Sequence, residues 1–133
     1  MQLPASLLDQ RLIQDGVLDD IAGRGVELHL RSIFLQGLLF LPRDGLPAGL
    51  AAAGPRLSRI RRTIAEAGAD PLQAALAFAL SRPEASAVVV GVASAAELRA
   101  VLAAAAAPAP QLDWGALALD NAVALDPDRW AAA

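Results

Sequence analysis

The stretch Ala85-Ser86-Ala87-Val88-Val89-Val90-Gly91-Val92, followed at once by Ser94-Ala95-Ala96-Glu97, decides the fold class. Its continuous β-branched run is the pattern of a strand covered on both faces, which is how strands of parallel sheets are found. Ser94 and Glu97 stand three apart, as in a capping box, where hydroxyl and carboxylate satisfy the first free N–H groups of a helix. The strand therefore passes directly into a helix, over Leu98, Val101 and Leu102, which fades into the alanine- and proline-rich stretch 103–110.

The same alternation extends backwards. Asp70-Pro71 sets an acid at the N-cap and a proline at the first helical position, where the missing N–H costs nothing. Leu72, Ala75, Leu76, Ala79 and Leu80 carry that helix to Arg82-Pro83. A helix over 55–67 precedes it, with Leu57, Ile60 and Ile64 on one face. Residues 36–49 hold three Gly and two Pro, a loop with at most a short helical turn. Before it, 26–34 (Val-Glu-Leu-His-Leu-Arg-Ser-Ile-Phe) alternates and then turns apolar, as a strand entering a core does. Leu12, Ile13, Val17, Leu18 and Ile21 recur at helical spacing, closed by Gly23 and Gly25. Met1-Gln2-Leu3-Pro4 is a short strand, and one more short helix is expected around 114–124, with a turn at Asp126-Pro127. Strands near 1–4, 26–33 and 86–92 with helices between them imply an α/β fold with a parallel sheet. Residues 1–133 are read as a single domain.

Composition narrows the function. The chain has 133 residues, 56% hydrophobic and 19% charged, which excludes a disordered class and allows one real core. All eleven basic residues are Arg; there is no Lys, no Tyr and no Cys, and His29 is the single His. Thiolate chemistry, disulfides and cysteine-ligated metal are thereby excluded, and one isolated His does not make a zinc site. No Gly-x-Ser-x-Gly elbow is present. A net charge of −3 opposes a nucleic-acid partner. No apolar run reaches the ~18–20 residues needed to span a bilayer, and the start resembles no signal peptide, so the expectation is no membrane and a cytoplasmic protein. His29 is expected to be a packed or hydrogen-bonded structural residue. Arg56, Arg59, Arg61 and Arg62 are expected to form a solvated face, with Glu66 an ion-pair partner for Arg62.

Several segments resemble one family in order. Gln2-Leu3-Pro4-Ala5-Ser6-Leu7-Leu8-Asp9-Gln10-Arg11 is similar to the sixth strand and following loop of aldo/keto reductases. Gly25-Val-Glu-Leu-His-Leu-Arg-Ser-Ile-Phe-Leu-Gln-Gly-Leu-Leu39 resembles their seventh strand and its continuation. Pro71-Leu-Gln-Ala-Ala-Leu-Ala-Phe-Ala-Leu80, then Ala87-Val-Val-Val-Gly-Val-Ala-Ser94 and Glu97-Leu98, resemble the seventh helix, eighth strand and cofactor helix, and Asp126-Pro127-Asp128-Arg129-Trp130 resembles the family's close. The resemblance covers nearly the whole chain. It implies a partial (β/α)8 TIM barrel, about three C-terminal βα units, from a family that reduces aldehydes and ketones with NADPH.

The resemblance also assigns sites. Gln2 matches a glutamine that contacts the nicotinamide amide, and Arg31 stands where many members place an aromatic that stacks on it. Ser32, Phe34 and Gly37 match the loop around the pyrophosphate; Gly91, Ser94 and Glu97 match the strand end and helix start that receive the adenosine phosphate. Arg31 departs from the family pattern, no basic residue lies in 91–96, and Ala100-Val101 replaces the acid–amide pair that reads adenine. Weak or absent NADP(H) binding is the expectation. The catalytic tetrad of Asp, Tyr, Lys and His is expected upstream of Met1, and without Tyr or Lys these residues cannot rebuild it; no catalytic and no metal residue is assigned. The chain is expected to be inactive alone, completed by an N-terminal half or a homo-oligomer, the alternative being a non-catalytic binding or assembly module.

Overall fold

The computed structural model describes residues 1–130. Three short strands, β1 (Gln2–Pro4), β2 (His29–Arg31) and β3 (Ala87–Val88), pair in parallel in the order β1-β2-β3. Gln2 stands opposite His29 and Pro4 opposite Arg31, while His29 faces Ala87 and Leu30 faces Val88. Among the described residues five α-helices surround them, α1 (Arg11–Gln14), α2 (Val17–Gly23), α3 (Gly54–Glu66), α4 (Pro71–Leu80) and α5 (Ala95–Ala106). The segment expected to be a loop with one short turn forms three 3-10 helices, Leu35–Phe40, Arg43–Gly45 and Ala48–Ala53. Parallel pairing with helical crossovers is the expected α/β architecture, and among the described residues the sheet stays open rather than closing into a barrel.

The strands are shorter than the sequence pattern suggests. Before β2, Val26 and Glu27 are exposed because β1 begins at Gln2 and offers them no neighbouring strand; the Met1 ammonium donates to the Glu27 carbonyl at 2.7 Å instead. After β2, Ser32 takes a φ of +55°, which turns the chain out of the sheet. The run 85–92 is not covered on both faces, which corrects the reading of it as a doubly buried strand. Val88 and Val90 pack inward, while Val89 and Val92 are 42% and 40% exposed. The reason is alternation: Val88 and Val90 point to the face packed on the cluster, whereas Val89 points to the opposite face, and the open sheet brings no packing partner over it among the described residues.

Two apolar clusters form the core, and α4 is the wall between them. Leu76 and Ala79 pack with Leu18, Leu28, Leu30 and Ile33 under the sheet. Ala74 and Phe78, on the other side of α4, pack with Leu57, Ile60 and Ile64 of α3, with Leu7 and Leu8, and with Leu38 and Leu50 of the connecting loop. Each buried Leu or Phe of this kind stabilises the fold by about 1.5–3 kcal/mol. The N-terminus of α4 is as the sequence implies: the Asp70 carboxylate accepts from Gln73 N–H at 2.8 Å, and the Gln73 side chain accepts from Asp70 N–H at 3.0 Å. At α5 only half of the expected box forms. Ser94 accepts from Glu97 N–H at 3.1 Å, but the Glu97 carboxylate reaches past Ser94 to Ala93 N–H at 2.6 Å.

Three further expectations need correction. The helix expected over 12–21 is broken at Gly16, whose φ of +76° separates α1 from α2. The tail forms no helix over 114–124; a 3-10 turn at Trp114–Leu117 leads into irregular chain. Leu117, Leu119, Ala124 and Leu125 are nevertheless buried in the α3–α4 cluster, and Leu119 N–H donates to the Leu8 carbonyl at 2.8 Å. The tail has thus been fixed by packing rather than by helical propensity. Nor is the arginine group simply a solvated face. Arg61 donates to the carbonyls of Leu38, Leu39 and Leu41, and its burial lowers its pKa; Arg56 donates to those of Ala116 and Ala118. Arg62 makes no ion pair with Glu66 among the described residues.

No helix of the described residues is long and apolar enough to cross a membrane.

Candidate functional site

The C-terminal ends of parallel strands are where α/β folds place their ligands, and here two clefts open at those ends. The segment that shapes both is the loop after β2. It holds three non-glycine residues in left-handed backbone, Ser32 (φ +55°), Leu35 (+46°) and Gln36 (+55°), followed by Gly37 (+73°). Such residues cost on the order of 1–3 kcal/mol each and persist only where the surroundings hold them. Leu35 is held by its burial, and Arg61 holds the carbonyls of Leu38 and Leu39.

The first cleft, of about 430 Å³, lies between this loop, the start of α4 and the first turns of α5. Phe34 and Phe40 form one wall with ring centroids 5.6 Å apart; Leu72, Val92, Ala100 and Val101 line the rest. Gly37, Gly91 and Glu97 complete it. Glu97 is the single ionisable residue of the lining, and it is an acid. Its carboxylate already occupies the N-terminal end of α5, where free N–H groups favour negative charge. The cleft therefore suits a flat apolar group between the Phe pair and α5, and offers no cation to a phosphate.

The second cleft, of about 260 Å³, lies over the ends of β1 and β2, lined by Pro4, Ala5, Arg31, Ser32, Arg11 and Asp128 among others. Gln36 lines both clefts and marks where they meet. Arg31 is exposed and makes one side-chain bond, from Nη1 to Ser32 Oγ at 3.3 Å, so its charge is open to a ligand. Arg11 is held in place by Asp9, on which it spends Nε and Nη2, and the Asp9 hydrogen bond raises its pKa against the opposing effect of burial.

The eight residues assigned from the sequence thus divide. Phe34, Gly37, Gly91 and Glu97 meet in the first cleft, and Arg31 and Ser32 in the second. Ser94 caps α5 beside the first cleft without lining it, and Gln2 is exposed on β1 and lines neither. Ala100 and Val101, noted as departures, do line the first cleft, so their loss of polar groups falls on the site itself. Residues not foreseen are Gln36, Phe40 and Leu72 in the first cleft and Arg11 and Asp128 in the second. The Gln36-Gly37 pair was a usable signal for left-handed backbone; Asp128 reaches the site only through the packing of the tail.

His29 begins β2 and so sits at the opposite end of the strand from Arg31. Its Nε2 is 3.3 Å from Glu27, whose carboxylate also accepts from Ser86 Oγ at 3.0 Å. It is hydrogen-bonded and half-buried, in keeping with a structural part. Among the described residues no group of His, Asp and Glu could hold a metal ion.

A sequence model described as "Aldo/keto reductase family" matches residues 1–118 of the chain. No curated protein and no solved structure matches it.

Proposed function

Because the chain belongs to the aldo/keto reductase family, we propose that it forms about three C-terminal βα units of a (β/α)8 barrel, a single domain that supplies part of an NADP(H) site and none of the catalytic tetrad. The observation that carries this reading is the meeting of Phe34, Gly37, Gly91 and Glu97 around one cleft at the strand ends. The pair Phe34 and Phe40 would hold a cofactor ring, and Arg31, in the adjoining cleft, would offer the cofactor a positive charge. Bound NADPH would supply the hydride of the family's carbonyl reduction. These residues can orient it but hold no tyrosine to protonate the carbonyl and no lysine to tune one. General-acid catalysis of that kind is worth roughly 10²–10⁴-fold. Activity, in the cytoplasm, would then need strands from another polypeptide segment, paired along β1 or β3.

The test is direct. The purified chain, mixed with NADPH and common aldehydes, is expected to oxidise no NADPH above a protein-free blank, and fluorescence titration is expected to give no micromolar binding. Addition of a polypeptide carrying the five N-terminal βα units of a family member is expected to restore both. Turnover or micromolar affinity by the chain alone would overturn the reading. A non-catalytic assembly module is the second reading, favoured by the exposed apolar side chains of Val89, Val92, Leu98 and Leu102 around β3 and α5. It predicts association with no gain of NADPH oxidation.

A further inference from the structure

A cleft of about 710 Å³ lies between α1, α3 and the tail, apart from the first strand-end cleft and sharing only Arg11 and Leu125 with the second. Its size falls in the range of small-molecule sites, roughly 300–1,000 Å³. Three guanidinium groups line it, from Arg11, Arg56 and Arg59, against the Asp120 carboxylate. Arg11 is already paired with Asp9, so Arg56 and Arg59 carry the local excess of positive charge, in a chain whose net charge is −3. A local excess of positive charge inside an acidic chain is the arrangement that focuses anions.

Two of the three guanidiniums are fixed by the fold and still have donors to spare. Arg11 spends Nε and Nη2 on Asp9 and the Leu125 carbonyl, and Arg56 spends Nη2 on the carbonyls of Ala116 and Ala118. Each guanidinium carries five N–H donors in a planar fork that matches phosphate or carboxylate oxygens. The remaining donors are therefore held in place before any ligand arrives, which lowers the entropy lost on binding. Arg59 is exposed on α3, and its side chain makes no hydrogen bond or ion pair among the described residues. Gln14 adds a neutral amide to the lining.

We propose that this cleft is a further ligand site, which adjoins the second strand-end cleft at Arg11 and Leu125 and takes a small polyanion bearing phosphoryl or carboxylate groups. Arg11 and Arg56 act as the fixed donors, and Arg59 as the free arm that closes on the anion.

Calorimetric titration of the full chain at physiological salt tests this, with pyrophosphate in one arm and citrate in the other. Saturable one-site binding of at least one of them is expected, and which one binds tells phosphoryl from carboxylate recognition. Arg59→Gln is expected to weaken it about tenfold and Arg59→Lys by less, with circular dichroism unchanged because Arg59 contacts nothing that holds the fold. Arg24→Gln, at a guanidinium paired with Asp20 on α2, is expected to leave the affinity unchanged. No saturable binding in either arm, or equal losses in Arg24→Gln and Arg59→Gln, would overturn the proposal.

Discussion

Arg11 grips Asp9 with both prongs of its guanidinium, Nε to Oδ1 and Nη2 to Oδ2, each at 2.8 Å, and extends the same Nη2 to the Leu125 carbonyl at 3.1 Å. One side chain thereby ties the loop after β1 to the tail more than a hundred residues later. Asp9 is 8% exposed, so without its partner a nearly buried carboxylate is left unpaired. Arg11→Met is expected to destabilise the chain by about 1–2 kcal/mol, a value discounted because Arg11 is itself half exposed. Adding Asp9→Asn should recover part of that loss in urea unfolding; additive losses would show that the pair acts as two independent contacts.

Phe78 is fully buried on α4, and its ring meets Trp114 of the tail edge-on at 5.8 Å. Its removal empties the centre of the larger cluster. Phe78→Ala is expected to cost about 3–5 kcal/mol, which is a large share of the stability of a domain of this size. Tryptophan fluorescence should shift to the red in the same variant before unfolding begins, because Trp114 loses its wall. A loss under 1 kcal/mol would mean that the tail does not pack on α4 in solution.

Two adjacent positions in the loop after β2 should respond with opposite signs. Gly37 has a φ of +73°, and a Cβ added there would meet Phe40 at 3.7 Å, an ordinary contact. The cost of Gly37→Ala is then backbone strain, about 1–2 kcal/mol. Gln36 has a φ of +55° with a side chain already in place, so Gln36→Gly is expected to be neutral or to stabilise by up to about 1 kcal/mol. Thermal melts of the two variants settle the sign of each.

Acid should weaken the fold through Glu84 and Glu27. Burial pushes the Glu84 carboxyl up, but hydrogen bonds from Arg82 at 2.5 and 3.1 Å, its own backbone and the Arg82 charge together hold it below the usual value. Glu27 is lowered by its hydrogen bonds to His29 and then Ser86. A carboxyl whose pKa is lower folded than unfolded stabilises fully above its unfolded value, about 4.3, and loses that contribution as pH falls through the folded one. Melting temperature is therefore expected to drop below about pH 4, and Glu84→Gln should lower it at pH 7 more than at pH 3. A pH-independent effect of Glu84→Gln would contradict the sign.

What the sequence made legible follows from how local each cause is. Asp70-Pro71 and Ser94 act on N–H groups three residues away, and both helix starts stand where those residues put them. The parallel order of the strands follows from the alternation with helices, which is also a property of neighbouring segments. Cover of a sheet face is not local: Val88, Val89 and Val90 read alike, yet Val88 and Val90 face the cluster and Val89 the opposite, open face of the sheet. The arginines show the same limit. Arg61 and Arg62 are adjacent, yet one caps the carbonyls of a loop twenty residues earlier and the other does not. Of the site, Phe34 and Gly37 were reachable by resemblance, whereas Arg11 and Asp128 join it through tail packing that no helical period announces.

The open edge makes the last prediction. Among the described residues β3 pairs with β2 alone, and Val89 and Val92 beside it and Leu98 and Leu102 on α5 are 42%, 40%, 43% and 59% exposed. The described part of the tail packs elsewhere, since Leu117, Leu119 and Leu125 are buried in the other cluster, with Leu8 and the apolar face of α3. Unpaired backbone groups flanked by apolar side chains favour addition of another strand, and burying each such side chain adds roughly 1.5–3 kcal/mol. The chain is therefore expected to associate with itself, or with a polypeptide that supplies the missing strands, as its concentration rises. Light scattering across a concentration series reads this out. Val89→Lys, which sets a charge beside the edge without touching the core, should shift the series towards monomer. A monodisperse 13.7 kDa species at high concentration, with a cooperative melt, would mean that the edge is stable unpaired and that the exposed valines contribute nothing to assembly.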